Sequence, residues 1–74
     1  MTESSAPSVH VSVNGERLAV APGTTLDTLV ATLTEARSGI AAALNETVVP
    51  RGQWASAALR EGDRVEVLTA VQGG

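Results

Sequence analysis

A chain of 74 residues holds one domain at most, and with no Tyr, no Phe and a single Trp its interior must be built from Val, Leu, Ile and Ala. Such a small aliphatic core leaves little volume for an internal cofactor pocket, the absence of Cys removes disulfides and thiolate chemistry, and one His makes no metal site by itself, so no bound cofactor or metal is expected. Five Arg, no Lys and eight acidic residues give a net charge of −3, which disfavours nucleic acid and anionic membranes and favours a basic groove on a protein partner.

Met1 to Ser8 is rich in Ser, Thr and Pro, with nothing to bury and neither the basic nor the apolar part of a signal peptide, so residues 1–8 are expected to be a flexible lead-in. No apolar run approaches the roughly 18 residues of a membrane span, and the chain is expected to be soluble and cytoplasmic. From Val9, apolar residues alternate (Val9, Val11, Val13) around His10 and Ser12, the period of a strand with one buried face. Asn14-Gly15 tolerates the positive φ angles of a type I′ turn and predicts a two-residue hairpin that sets Val11 opposite Leu18 and Val9 opposite Val20.

Ala21-Pro22-Gly23 breaks the second strand, Thr24 or Thr25 can cap a helix, and Asp27 suits its positive end. Leu26, Leu29, Val30 and Leu33 form one helical stripe, with Asp27, Thr28, Thr32 and Glu35 facing away and Gly39 as the expected stop. Ile40 to Leu44 reads as a third strand bounded by Gly39 and Asn45-Glu46, and Val48-Val49-Pro50 as a short strand kept at an edge by Pro50. Gly52 to Leu59 is expected to hold a single helical turn containing Trp54, a core or half-buried anchor. Glu61-Gly62-Asp63 turns into a last strand, Arg64 to Val71, with Val65, Val67, Thr69 and Val71 on one face and Glu66, Leu68 and Ala70 on the other. Hairpin, helix, strand, short strand, turn and strand make an α+β domain over residues 9–71, with one main helix across one face of a mixed sheet of four to five strands.

Residues 72–74, Gln72-Gly73-Gly74, follow that strand with nothing to pack and are expected to be a flexible tail reaching about 10 Å when extended. Two glycines let the backbone enter a narrow channel and present the Gly74 carboxylate without side chains. That carboxylate is an anion at neutral pH and resists nucleophiles until activated. Attack on the α-phosphate of ATP in a partner enzyme would give an acyl-adenylate, and sulfide or a persulfide could displace AMP to leave a thiocarboxylate. Without Cys, the chain can hold sulfur covalently only at such a position.

Val13-Asn14-Gly15-Glu16, Thr25-Leu26, Ala43-Leu44-Asn45-Glu46, Val49-Pro50-Arg51, Trp54, Glu61-Gly62-Asp63 and the terminal Val71-Gln72-Gly73-Gly74, in this order, resemble the ubiquitin-like sulfur carriers and among them the ThiS family of thiamine biosynthesis. The resemblance covers nearly the whole chain from Val11 onward. It implies a β-grasp fold whose first and last strands lie adjacent and parallel at the sheet centre. It also implies two successive partners: an adenylyltransferase related to ubiquitin-activating enzymes (ThiF-type), which helps thiolate Gly74, and a thiazole synthase (ThiG-type), which takes the sulfur for the thiazole ring. Some members receive sulfur through a cysteine desulfurase or a rhodanese-like protein.

Two other readings share the tail. The molybdopterin-synthase small subunit, MoaD, resembles this chain in fold and Gly-Gly end but is usually richer in aromatic residues and lacks the Asn45 to Arg51 stretch. A ubiquitin-like modifier or interaction module would form amide bonds to lysines or leave the tail unused. An enzyme in its own right is disfavoured, because His10 falls on the outer sheet face with no sequence-evident partner acid or nucleophile. The candidate residues are therefore Gly74 for sulfur attachment, Gln72, Gly73 and Gly74 for threading into a partner, and Leu68, Ala70, Arg51 and Arg64 for docking, with no catalytic residue.

Overall fold

The computed structural model describes residues 8–35 and 38–69. Strands β1 (Val9–Val13) and β2 (Glu16–Val20) form the hairpin that Asn14-Gly15 dictates, in the expected register, with Val11 facing Leu18 and Val9 facing Val20. Both turn residues have positive φ, 51° at Asn14 and 90° at Gly15, as a type I′ turn requires.

Helix α1 (Leu26–Leu33) is eight residues long, well short of the 12–15 or so that an isolated helix needs, so tertiary contacts must hold it. Thr25 is its N-cap, accepting a hydrogen bond from the Thr28 N–H, and Asp27 lies in the first turn. Two backbone bonds fasten the helix start to the segment that follows Trp54: Leu26 N–H to the Ala57 carbonyl (2.8 Å) and Leu59 N–H to the Thr24 carbonyl (2.9 Å). Gly39 does not stop the helix. It ends at Leu33, where extended Thr34 caps it by donating to the Val30 carbonyl, and Gly39 lies further on, at φ 72°, leading into the next strand. The apolar stripe has run out by then, so a further turn would bury nothing.

Strand β3 (Ile40–Leu44) turns through Asn45-Glu46 into the two-residue strand β4 (Thr47–Val48). Both turn residues again have positive φ, 53° and 72°, so this is a second tight hairpin and not merely a strand boundary. Pro50 lies outside β4, although Val49 still donates to the Ala42 carbonyl. A 3₁₀ helix over Arg51–Ser56 carries Trp54, and strand β5 (Arg64–Thr69) closes the sheet.

The strand order is β2-β1-β5-β3-β4, with β5 parallel to β1 and antiparallel to β3. The first and last strands therefore sit adjacent at the centre, as the resemblance implied. Val11 and Val13 of β1, Ala42 of β3 and Val65 and Val67 of β5 line one sheet face, and Leu26, Leu29 and Val30 pack down from the helix with Trp54 and Leu59. Among the described residues, no buried side-chain nitrogen or oxygen lacks a partner. Leu33, placed in the apolar stripe by its spacing, is 44% exposed at the helix end, and Leu18 on edge strand β2 is 39% exposed. The two border a groove between the hairpin and α1, because the helix ends before it can cover them.

Candidate functional site

The alternation of β5 decides which of its side chains are free. Val65 and Val67 point into the core, so Arg64, Glu66 and Leu68 must project from the opposite face, which no helix covers. Leu68 is 70% exposed there, as its place in the strand predicts. Cross-strand pairing adds neighbours: Ala41 lies opposite Leu68, Ala43 opposite Glu66, and Val48, 71% exposed, opposite Ala43. Together they line a shallow, mostly apolar hollow of about 280 Å³ edged by Glu46 and Glu66. Small side chains on β3 make the hollow, and Glu66 gives its rim negative charge.

Arg64 shares this face. Its guanidinium donates to Glu46 Oε2 at 2.8 Å, an exposed pair that ties the β3–β4 turn to the start of β5. Arg51 does not join them. It lies on the helix side, its guanidinium 5.1 Å from the centroid of the Trp54 ring, beside a groove that Asp27 and Val30 also line. Of the four docking candidates, the structure thus brings Leu68 and Arg64 to one surface and sets Arg51 on another. Ala70 lies outside the described residues, as do Gln72, Gly73 and Gly74.

Side-chain links that sequence reasoning missed hold β5 in place. Asn45 accepts the Arg64 N–H on Oδ1 (2.9 Å) and donates through Nδ2 to Asp63 Oδ1 (3.0 Å), while Asp63 Oδ2 accepts the Arg60 N–H (2.8 Å) and shapes the turn around Gly62. Asn14 bonds both polar groups of the Val67 backbone. An Asn at a positive-φ position beside a strand was the available signal, but only long-range pairing reveals what its carboxamide meets.

His10 lies on the outer face, as its alternation requires, and it does have an acid beside it. Glu61 accepts the His10 backbone N–H on Oε1 (2.9 Å), with His10 Nδ1 3.3 Å from Oε2. The backbone bond from His10 holds the Glu61 carboxyl below the usual glutamate range, outweighing an opposing loss of solvation, with lesser help from the imidazole and the charge of Arg17. Ser12 lines the same hollow, but among the described residues no hydrogen bond joins its hydroxyl to His10, and the arrangement is a clasp between β1 and the 60–63 turn. Among the described residues, no group of three or more His, Cys, Asp or Glu is placed to hold a metal ion. No helix there is long and apolar enough to cross a membrane.

Among the described residues, one α-helix on a five-stranded mixed sheet with a parallel central pair makes the ubiquitin-like β-grasp, here with a shallow apolar hollow on the open face of the last strand. The family model described as the ThiS family matches residues 6–74, and the chain belongs to that family. It is 30% identical over 66 residues to the sulfur carrier protein ThiS of Escherichia coli (strain K12), an alignment covering 89% of this chain and all of the relative. The crystal structure of the thiamine biosynthesis protein ThiS from Geobacter metallireducens superposes with a TM-score of 0.73 at 28% identity, covering 89% of this chain and all of that one.

Proposed function

We propose that this protein is a sulfur carrier of thiamine biosynthesis whose working group is the Gly74 carboxylate. The observation that carries the reading is the family match, which runs through Gly74 and joins this body to this ending in one pattern. The name of the Escherichia coli relative supports the role as sulfur carrier, and that of the Geobacter protein supports the thiamine pathway.

The chemistry follows from the group available. A Gly74 carboxylate oxygen attacks the α-phosphate of ATP held by an adenylyltransferase, forming a P–O bond as pyrophosphate leaves. The resulting acyl-adenylate has a good leaving group, and hydrosulfide attacks its carbonyl, expels AMP and leaves a thiocarboxylate. A persulfide does the same when a thiol then cleaves the acyl disulfide. Thiazole synthase is the expected acceptor. The chain is substrate to these enzymes: it supplies a narrow tip and a surface by which they hold it. The hollow between Leu68, Val48 and the alanines suits an apolar projection of a partner, and Glu66 suits a basic residue beside that projection.

Intact mass spectrometry after incubation with the cognate adenylyltransferase, ATP and a sulfur source tests the proposal. The expected result is a gain equal to exchange of one oxygen for sulfur, absent when Gly73-Gly74 is deleted. No gain with a competent enzyme, or the same gain without the glycines, refutes it. Rescue of a deletion strain by thiazole identifies the pathway, whereas a molybdoenzyme defect would assign the carrier to molybdopterin.

A further inference from the structure

Strand β1 ends at Val13 because Asn14-Gly15 turns the chain into β2. Its parallel partner β5 continues to Thr69, and backbone pairing between the two reaches only Val13 with Val65. Beyond Val65, the β1 side of β5 would have no peptide group to meet. Asn14 occupies that place. Its backbone N–H donates to the Val65 carbonyl at 2.9 Å, its Oδ1 accepts the Val67 N–H at 2.9 Å, and its Nδ2 donates to the Val67 carbonyl at 3.2 Å. One side-chain carboxamide thus supplies the donor and the acceptor that a continued β1 would have supplied.

The turn alone does not ask for this group, since glycine adopts positive φ with less strain. On its other edge β5 is paired to β3 as far as Thr69 with Ile40. A strand held on one edge can pivot about that ladder; held on both, it cannot. A pivot at Val67 would shift the place at which the described strand ends, at Thr69.

We infer that Asn14 is a positioning residue for sulfur loading: its carboxamide holds β5 through Val67, so that the end of the strand from which the tail issues keeps a fixed place on the body. The inference rests on the proposed role of Gly74. Its energetic effect falls on docking, because a pre-set strand loses less freedom when the tip enters the partner.

Two readouts on the full-length protein test it. In Asn14→Gly, which keeps the turn and deletes the carboxamide, amide exchange at Val67 measured by NMR should quicken at least tenfold. Pyrophosphate release by the cognate adenylyltransferase with ATP should show KM raised by about three- to tenfold at unchanged kcat. Asn14→Asp keeps an acceptor for the Val67 N–H and loses the donor, so both effects should be smaller. Thr25→Ala, which loosens the helix start, is the control for simple destabilisation and should leave KM unchanged. Unaltered Val67 exchange in Asn14→Gly, or an unaltered KM while wild type is turned over, overturns the inference, as does an equal KM rise in Thr25→Ala. If wild type itself is not adenylated, the proposed function has failed, and with it the positioning role, whatever the exchange at Val67 shows.

Discussion

Trp54→Phe separates what the indole does from what any aromatic ring would do. Trp54 is 2% exposed in the core, and its Nε1–H donates to the Val49 carbonyl at 2.8 Å, joining the 3₁₀ helix to the end of the β3–β4 hairpin. Phe keeps a ring and loses that bond, a cost of about 1 kcal/mol, to which the space vacated by the smaller ring adds about 1 kcal/mol. A domain of 74 residues is expected to have roughly 4–11 kcal/mol of stability in all, so the loss is a substantial fraction. It corresponds to a fall in Tm of about 10–15 °C. Urea unfolding followed by far-UV circular dichroism measures it, and the slope should be unchanged while the midpoint falls. Trp54→Ala should cost about 3–5 kcal/mol and leave the fold marginal. A Trp54→Phe midpoint corresponding to less than about 0.5 kcal/mol would refute the assignment of Trp54 as a hydrogen-bonded core anchor.

Gly15→Ala should destabilise by about 1–2 kcal/mol although an added Cβ meets nothing within 4 Å, because φ of 90° is strained for any L side chain; an unchanged Tm would contradict the turn geometry. Glu61 is held below its ordinary range in the fold, so its contribution is present above the unfolded glutamate value and lost as pH falls through the lower folded value. Glu61→Gln should therefore be less stable than wild type near neutral pH, with the difference vanishing in acid; urea midpoints across the acid range check the sign, and a gap that widens on acidification would reverse it. Leu68→Glu, at an exposed site, should change stability by no more than about 0.5 kcal/mol yet raise the KM for adenylation by about tenfold or more, and an unchanged KM would remove the hollow from the docking surface.

Much of the architecture is legible in local chemistry. Alternation in Val9 to Val13 and the Asn14-Gly15 turn fix the first hairpin and its register, and the stripe from Leu26 to Val30 fixes the buried side of the helix. The Asn45-Glu46 hairpin was harder to read, because Glu is an unusual occupant of a left-handed position and carries no turn signal of its own. Leu33 illustrates the opposite error: its spacing is right, but it is the last residue of the helix and 44% exposed, and a periodic pattern holds no information about where cover ends.

The docking candidates divide in the same way. Alternation alone placed Leu68 on the outer face, since a strand offers a side chain only two directions. It could not place Arg64 beside Glu46 or Glu61 beside His10, because those pairs lie 18 and 51 residues apart, whereas Arg51 over Trp54 is a local contact within the 3₁₀ helix.

By itself the sequence determined the elements, the inward faces and the resemblance to sulfur carriers, all of which follow from residue type and short spacing. Only the tertiary structure decided that Ala41 and Ala43 form a hollow beside Leu68 and that a turn asparagine completes the pairing of the central strand. Both arise from pairing between segments about 25 to 55 residues apart, a distance over which periodicity is silent and hydrogen-bond geometry must be seen.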